Sequence, residues 1–202
     1  NGDSYSDLIV GAPSATTAAG RVEIFAGSAS GVQTTPLWTK NGTFSGNKVG
    51  SSISVRGDVN QDGIHDIAIG SYQLVEIYLG NATIKSTPDA SFSFPSTDTV
   101  TCAIVPDTNK DFYDDIFIGE PAFGRARLYR GSELPLTNIT TYVYTSGTGS
   151  GAGTNVYGLG DIDGDSAGDL VLSDPNYATS DGRVTAIRQL APSASPTPSV
   201  TP

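Results

Sequence analysis

The chain has 202 residues, enough for one substantial core or two small ones, and carries a formal net charge of −10. This charge excludes nucleic acid as a partner, because the phosphates would repel the protein. No apolar run approaches the roughly 18 residues that span a bilayer, so this segment does not insert into a membrane. With 24 Gly, 12 Pro and no sustained helical period of apolar residues, the composition predicts an all-β fold.

Four acidic segments recur along the chain, and each is followed at once by a short apolar run. They begin at residues 1, 58, 107 and 161, and their last acidic residues are separated by 59, 49 and 54 residues. This period is close to that of a four-stranded propeller blade, roughly 40–50 residues. The continuous apolar runs predict inner strands that are covered on both faces. The last acidic residues are Asp7, Asp66, Asp115 and Asp169.

A further strand is predicted after each apolar run, in segments 20–26, 73–79, 124–130 and 182–188. The first three alternate polar and apolar residues, which predicts half-buried strands. Blades of this kind must stack to bury their faces. We therefore predict a propeller segment of about three and a half blades over residues 1–190. Residues 191–202 contain only Ala, Pro, Ser, Thr and Val and predict an extended linker or tail.

The acidic loop from Asp58 to Asp66 has the donor pattern of a calcium site. Side-chain oxygens stand at loop positions 1, 3, 5 and 9, and position 7 offers its main-chain carbonyl. Calcium takes six to eight oxygen ligands in a tolerant geometry, whereas magnesium demands a stricter octahedron and is the weaker candidate. Without a cation, the clustered carboxylates would repel one another. An EF-hand is excluded because position 12 is apolar (Ile69, Ile118 or Leu172), so the loop must join two strands of a hairpin.

The acidic motif from Asp58 to Asp66, followed by Ile-Ala-Ile-Gly70, and the segment Asp7-Leu-Ile-Val-Gly-Ala-Pro13 resemble the FG-GAP repeats of integrin α-subunit propellers. The resemblance covers residues 1 to about 190. It implies four-stranded antiparallel blades, a seven-bladed propeller, and calcium in the loop that joins two strands of a blade. By motif position it implies three full calcium sites and a partial fourth. Their ligands would be Asp58, Asn60, Asp62, Ile64 and Asp66; Asp107, Asn109, Asp111, Tyr113 and Asp115; Asp161, Asp163, Asp165, Ala167 and Asp169; and, in the partial site, Asn1, Asp3 and Asp7.

The chain departs from the family pattern in three ways. Only the first repeat retains Gly-Ala-Pro, and the Phe-Gly pair ahead of the loop is replaced or missing. Phe112 and Ser166 stand where Gly63 stands in the second repeat, which predicts weaker binding in those two loops. The chain begins inside a loop and ends in a linker, so we expect it to be a fragment or a cleaved piece of a longer protein.

Other motifs have simpler interpretations. Arg56-Gly57-Asp58 spells an adhesive tripeptide, but Asp58 is already a predicted calcium ligand. His65 is the single histidine, so most acid–base schemes are excluded and no enzyme activity is predicted. Trp38 and Cys102 are predicted to be packing residues. Three sequons predict N-glycosylation at Asn41, Asn81 and Asn138.

The combined pattern predicts a calcium-stabilised extracellular module, secreted or at the cell surface, that serves adhesion or forms a scaffold. Its partner would be a protein or a glycan, and self-association or further propeller blades would be additional partners. Two alternatives stay open: a carbohydrate-binding, lectin-like propeller, and an accessory propeller of a larger secreted enzyme.

Overall fold

A computed structural model describes residues 1–95, 97–133, 136 and 140–188. Within these residues the chain forms four antiparallel sheets, each a meander of consecutive strands. The first sheet contains β1 (Leu8–Ala12), β2 (Arg21–Phe25) and β3 (Trp38–Asn41). The second contains β4 (Ser52–Ser54), β5 (Ile67–Ser71), β6 (Leu74–Tyr78) and β7 (Ala90–Ser93). The third contains β8 (Thr101–Val105), β9 (Asp115–Glu120), β10 (Arg125–Tyr129) and β11 (Thr140–Thr145), and the fourth contains β12 (Val156–Gly160), β13 (Asp169–Asp174) and β14 (Arg183–Ile187).

These sheets confirm the predicted all-β class and the antiparallel, blade-like architecture. The apolar runs form β1, β5, β9 and β13, and the segments after them form β2, β6, β10 and β14. Short helical turns join these two strands in three repeats, at Ala15–Ala18, Pro121–Phe123 and Tyr177–Ser180. The predicted tail, residues 191–202, lies outside the described residues.

Apolar side chains fill the three spaces between successive sheets. Ile24 of the first sheet packs with Ile69 of the second, and Ile77 of the second packs with Ile118 of the third. Phe117, on the other face of the third sheet, packs with the fourth. Because successive residues of a strand point to opposite faces, one central strand serves both neighbours. The four sheets therefore form a stack in chain order.

The prediction of inner strands covered on both faces is correct for β5 and β9, which are buried along their whole length. It is wrong for β1, where Leu8 is 47% exposed and Val10 42%. The physical reason is that no described sheet lies against the outer face of the first sheet. The predicted alternation of buried and exposed residues in β6 is also wrong, because Glu76 is buried. Lys40 of the first sheet covers Glu76, and the Lys40 Nζ lies 2.8 Å from the Glu76 carboxylate.

The single tryptophan and the single cysteine pack against other side chains, as predicted. The Trp38 ring is partly buried and meets the Tyr78 ring edge-on, with centroids 5.0 Å apart, and the indole N–H donates to the carbonyl of Lys85. Cys102 is buried between the second and third sheets, and its sulfur lies 3.6 Å from the hydroxyl of Ser52. Burial raises the pKa of its thiol to about 12.

Candidate metal-binding loops

The three complete acidic loops connect the first two strands of their sheets. They join β4 to β5, β8 to β9 and β12 to β13, and each strand pair is antiparallel. This confirms that the loops lie in hairpins. The first loop leads directly into β1. All four loops therefore lie at the same end of the stacked sheets.

All four loops have the same main-chain conformation, even though their sequences differ. Loop positions are counted so that the closing aspartate is position 9, and Asn1 is therefore position 3 of the first loop. Position 4 has positive φ in every loop, at Gly2, Gln61, Lys110 and Gly164. Position 6 also has positive φ in every loop, at Ser4, Gly63, Phe112 and Ser166. Two left-handed residues so close together turn successive main-chain N–H groups toward the interior of the loop. The repeat thus preserves the shape of the loop at positions where it does not preserve glycine.

Side-chain carboxylates accept these inward N–H groups. The carboxylate at position 1 accepts from position 6, as Asp58 does from Gly63 at 2.7 Å and Asp161 from Ser166 at 2.8 Å. The carboxylate at position 5 accepts from the N–H at position 7 in all four loops, at 2.8–3.1 Å. These bonds lower the pKa of Asp161, with the Ser166 N–H as the largest cause. The loops are therefore organised around carboxylates that accept main-chain N–H groups.

The closing aspartate at position 9 is fully buried in the three complete loops. In the second loop, one carboxylate oxygen of Asp66 accepts from the N–H of Val59 at 2.7 Å. The other accepts from the N–H of Gly80 at 2.8 Å, two residues beyond β6. Asp66 thus joins its loop to two strands of its sheet. The third loop repeats this arrangement at Asp115, and in the first loop Gly27 donates to Asp7 at 2.9 Å.

The glycine after the third strand is a site residue that the sequence analysis missed. A Cβ on Gly80 would lie 2.3 Å from the carbonyl oxygen of His65, and Gly27 and Gly131 have the same close approach to their own loops. Only glycine allows the main chain to reach the closing carboxylate there. The signal was a glycine two residues after β2, β6 and β10.

Burial makes ionisation of two closing aspartates, Asp66 and Asp115, unfavourable. The pKa of Asp66 is raised to about 7, mainly by burial and in smaller part by the negative charges of Asp62 and Asp58, against the opposing effect of the N–H bonds from Gly80 and Val59. Burial likewise raises the pKa of Asp115 to about 6. A nearby cation would favour the ionised forms.

The fourth loop brings its acidic groups closest together. Carboxylate oxygens of Asp161, Asp163 and Asp169 lie within 4.8 Å of one another, and within the described residues they form the one such group of three or more acidic, histidine or cysteine ligands. In the second and third loops, position 3 is an asparagine whose amide donates to the aspartate at position 5. Oδ1 of Asn109 is buried and, among the described residues, accepts no hydrogen bond.

The predicted partial site in the first loop is held together by the residues themselves. The side-chain amide of Asn1 donates to the carboxylate of Asp7 at 3.2 Å. The Asp3 carboxylate accepts a hydrogen bond from the main-chain N–H of Tyr5, as the aspartates at position 5 of the other loops accept from position 7.

Adjacent loops are bonded to each other by a contact that the sequence did not reveal. The Asp114 N–H donates to the carbonyl of Asp58 at 3.1 Å, and the Gly168 N–H donates to the carbonyl of Asp107 at 2.7 Å. Both donors stand at position 8, and both acceptors stand at position 1 of the preceding loop. The Lys110 ammonium additionally donates to the carbonyl of Asp165. The second, third and fourth loops therefore form one continuous hydrogen-bonded row.

The remaining predicted features lie on the surface or outside the described residues. Asn41 and Asn81 are exposed, whereas Asn138 lies outside the described part of the chain. In the Arg56-Gly57-Asp58 tripeptide, Gly57 is buried and the Asp58 carboxylate is engaged by its own loop, so the tripeptide is not displayed. No helix among the described residues is long and apolar enough to cross a membrane.

Comparison with known proteins gives matches to one family. The sequence model of the FG-GAP repeat matches residues 1–25. Integrin alpha-V of Gallus gallus is 32% identical over 167 residues, which is 71% of this chain and 16% of that protein. Integrin alpha-8 of the same organism is 30% identical over 161 residues, which is 68% of this chain and 15% of that protein. The chain thus spans about one sixth of the length of these relatives.

Proposed function

This chain belongs to the integrin-like FG-GAP repeat family, and from that premise we propose that it is a calcium-stabilised, non-enzymatic adhesion module that works outside the cell. The observation that carries the proposal is the convergence of Asp161, Asp163 and Asp169 in a loop whose shape recurs in the other repeats. The similarity to integrin α subunits supports an adhesive role and a protein ligand.

The donor set fits calcium in three respects. The ligand positions 1, 3, 5, 7 and 9 offer carboxylate, amide and carbonyl oxygens and no sulfur or imidazole, which suits a hard cation. The closing aspartates Asp66 and Asp115 are buried with raised pKa values, which a bound cation would reverse. The buried oxygen of Asn109, which accepts no hydrogen bond among the described residues, is an available ligand in the third loop. In the fourth loop, Asp165 and the Ala167 carbonyl would complete the set of calcium ligands that Asp161, Asp163 and Asp169 begin.

Calcium would neutralise the clustered carboxylates and so hold loop and sheet together. Extracellular calcium modules bind with dissociation constants of about 10⁻⁴–10⁻³ M. At a free concentration ten times the dissociation constant, one site stabilises the fold by about 1.4 kcal/mol. For a domain of this size, that raises the melting temperature by about 3–6 °C per site.

The test is thermal unfolding in calcium-free buffer, in 10 mM calcium and in 10 mM magnesium. We expect calcium to raise the melting temperature and magnesium to raise it less. Asp161→Asn should remove part of the calcium effect, whereas Asp181→Asn, an exposed residue away from the loops, should keep it. Identical melting curves with and without calcium would refute calcium stabilisation.

The adhesive role is tested separately, with the calcium-loaded chain immobilised on beads and probed with purified extracellular matrix proteins. We expect calcium-dependent retention of a protein component that enzymatic deglycosylation of the probe does not abolish. Loss of retention after deglycosylation, or on addition of a free sugar, would replace this role with the lectin-like alternative.

A further inference from the structure

A cavity of about 320 Å³ lies between the first and second sheets. The turn that joins β5 to β6 lines it, whereas the acidic loop of this sheet precedes β5, so the cavity lies at the end opposite the loops. Its lining lies wholly within residues 40–94, so neither end of the chain contributes to it. Small-ligand sites span roughly 300–1,000 Å³, so this cavity suits a ligand of one ring.

The cavity exists because this interface has small side chains at positions that are large in the next two. Where β5 turns into β6, the last paired residues are Ser71 and Leu74. In the third and fourth sheets, the same two positions hold a buried carboxylate and the arginine that pairs with it. These pairs are Glu120 with Arg125 and Asp174 with Arg183. The second sheet therefore leaves open a space that the later sheets fill with an ion pair.

Lys40 borders the same space from the first sheet. It pairs with the second residue of β2, and the residues at this position in the next two sheets are Phe92 and Tyr144. The Phe92 ring packs against Tyr129 with centroids 4.6 Å apart, and Tyr144 packs against the fourth sheet. An unbranched lysine chain fills less volume than either ring. The cavity is thus a property of this one interface and not of the repeat.

Two buried polar side chains in the lining have hydrogen-bonding capacity that the described residues do not use. Asn47 is 7% exposed, and its Oδ1 accepts from the N–H of Thr43 at 3.1 Å, while its Nδ2 donates to no described residue. Glu76 is equally buried, and one of its carboxylate oxygens accepts from Lys40 while the other accepts from no described residue. Leaving such groups unpaired is costly. The cavity therefore offers one donor and one acceptor to a ligand.

The lining favours a neutral ligand that carries hydroxyl groups and one apolar face. Lys40 and Glu76 are its only charged residues and pair with each other, so the cavity has no net charge to attract an ion. Phe44 is 51% exposed, which leaves its ring available to an apolar surface of the ligand. A hydroxyl group both donates and accepts, so neighbouring hydroxyls can satisfy the Asn47 amide and the Glu76 carboxylate together. A sugar ring combines such hydroxyls with an apolar face of C–H groups.

We infer that this cavity binds one neutral sugar residue, either a free monosaccharide or the terminal residue of a glycan. The ring packs on Phe44, and its hydroxyls bond to Asn47 and Glu76. Because the site lies at the end opposite the acidic loops, binding does not require calcium. The inference does not depend on the proposed adhesive role, since a sugar in this cavity neither requires nor excludes a protein ligand.

The first experiment is ligand-observed saturation-transfer NMR with glucose, galactose, mannose and N-acetylglucosamine, each in large molar excess. It is carried out with and without calcium, below the melting temperature of the calcium-free chain. We expect at least one sugar to receive saturation, and to receive it equally in both buffers. No transfer to any of the four sugars overturns the inference. Transfer to arginine amide but to no sugar also overturns it, because the cavity would then select a cation.

The second experiment places the bound sugar in the cavity. Phe44→Ala removes an exposed ring, so the chain should still fold, and we expect it to weaken binding of the responding sugar about 5- to 10-fold. Tyr157→Ala removes an exposed ring of the fourth sheet and should bind like the parent chain. Equal affinity of Phe44→Ala and Tyr157→Ala would overturn the inference.

A double variant fills the cavity with a contact that the protein already uses. Lys40→Tyr with Glu76→Thr copies Tyr144 and Thr185, whose hydroxyls lie 3.5 Å apart at the same two positions between the third and fourth sheets. We expect this variant to fold, to keep its calcium-induced rise in melting temperature and to lose sugar binding. Failure of sugar binding and failure of calcium stabilisation therefore give different results. Sugar binding that persists in the folded double variant would place the ligand elsewhere and overturn the inference.

Dissociation constants then identify the source of the sugar. Equal constants for the free sugar and for an oligosaccharide that ends in it would support a free monosaccharide as the ligand. Tighter binding of the oligosaccharide would support the terminal residue of a glycan.

Discussion

The carboxylate of Asp114 accepts a hydrogen bond from the main-chain N–H of Asp58, 2.9 Å away in the preceding loop. Its second oxygen accepts from the N–H of Asp107 at the start of its own loop, 3.2 Å away. One side chain therefore fixes the starting points of two acidic loops that belong to different sheets. No other repeat has an acidic residue at this position.

Replacement of Asp114 should destabilise the protein although it is not a predicted calcium ligand. Asp114→Ala leaves two N–H donors without their acceptor, and we expect a loss of about 2 kcal/mol in the free energy of unfolding. Asp114→Asn retains one acceptor oxygen and should lose about half as much. Urea denaturation measures the difference. Glu133→Ala, at an exposed position, is the control, and equal stability of Asp114→Ala and this control would contradict the role of the bridge.

The protein should be less stable with Phe112 at this position than with glycine. It has φ of 74° and is 77% exposed, so the ring contributes little burial to offset a left-handed main chain. That conformation costs a non-glycine residue about 1–2 kcal/mol, while the extra freedom of glycine in the unfolded chain costs about 0.4–1 kcal/mol. Phe112→Gly should therefore raise the free energy of unfolding by about 0.5–1 kcal/mol.

The matched control for this substitution is Gly63→Ala, at the same position of the second loop. Gly63 has φ of 84° and no atom within 4 Å of the place that a Cβ would take, so steric contact does not complicate the result. We expect a change of similar size and opposite sign in urea denaturation. If both variants shift stability in the same direction, main-chain strain at loop position 6 is not the cause.

The Cys102 thiol should be unreactive in the folded protein. It is buried, and burial raises its pKa to about 12, so at pH 8 almost no thiolate is available to attack a reagent. We expect no colour development with a thiol-reactive disulfide reagent under native conditions and one equivalent released in 6 M guanidinium chloride. Rapid labelling of the native chain would contradict the described packing between the second and third sheets.

The calcium-free protein should lose stability as the pH rises from about 4 to about 7. Asp66 and Asp115 have pKa values of about 7 and about 6 when folded, against 3.8 as the usual value. Over this interval the folded state keeps protons that the unfolded state has released, so the free energy of unfolding falls with rising pH. Above about pH 7 these two groups add no further slope.

Urea midpoints in calcium-free buffer at several pH values measure this effect. Asp66→Asn, which stays neutral, should show a shallower dependence whatever its own stability. Saturating calcium favours the ionised carboxylates, so it should also reduce the fall in the free energy of unfolding with rising pH. A midpoint that rises steadily from pH 4 to pH 7 without calcium would show that these aspartates ionise as readily in the folded protein as in the unfolded chain.

Repetition determined how much of this architecture the sequence could predict. The acidic loops and the strands after them recur four times along the chain. These repeats indicate the all-β class, so this part of the architecture was visible in the sequence alone. Asp114 was not predicted because it occurs in one repeat only, where the other repeats have Ser6, His65 and Gly168. The exposure of Leu8 was not predicted either, because a continuous apolar run does not indicate how many neighbouring sheets are present.

The left-handed main chain at loop position 6 was the feature hardest to predict from the sequence. Glycine is the residue expected at such a position, and only the second loop has it. Phe112 and Ser166 adopt the conformation because the hydrogen bonds at positions 1, 5 and 7 impose it. Those bonds depend on several side chains at once and become visible only when the loop is folded.

The row of bonds from position 8 of one loop to position 1 of the preceding loop links neighbouring loops, each a candidate calcium site, mechanically. Ordering one loop places the first ligand of the loop before it, so part of the entropy cost of the second binding event is already met when the first ion arrives. Calcium uptake by the second, third and fourth loops should accordingly be positively cooperative, with a Hill coefficient above one.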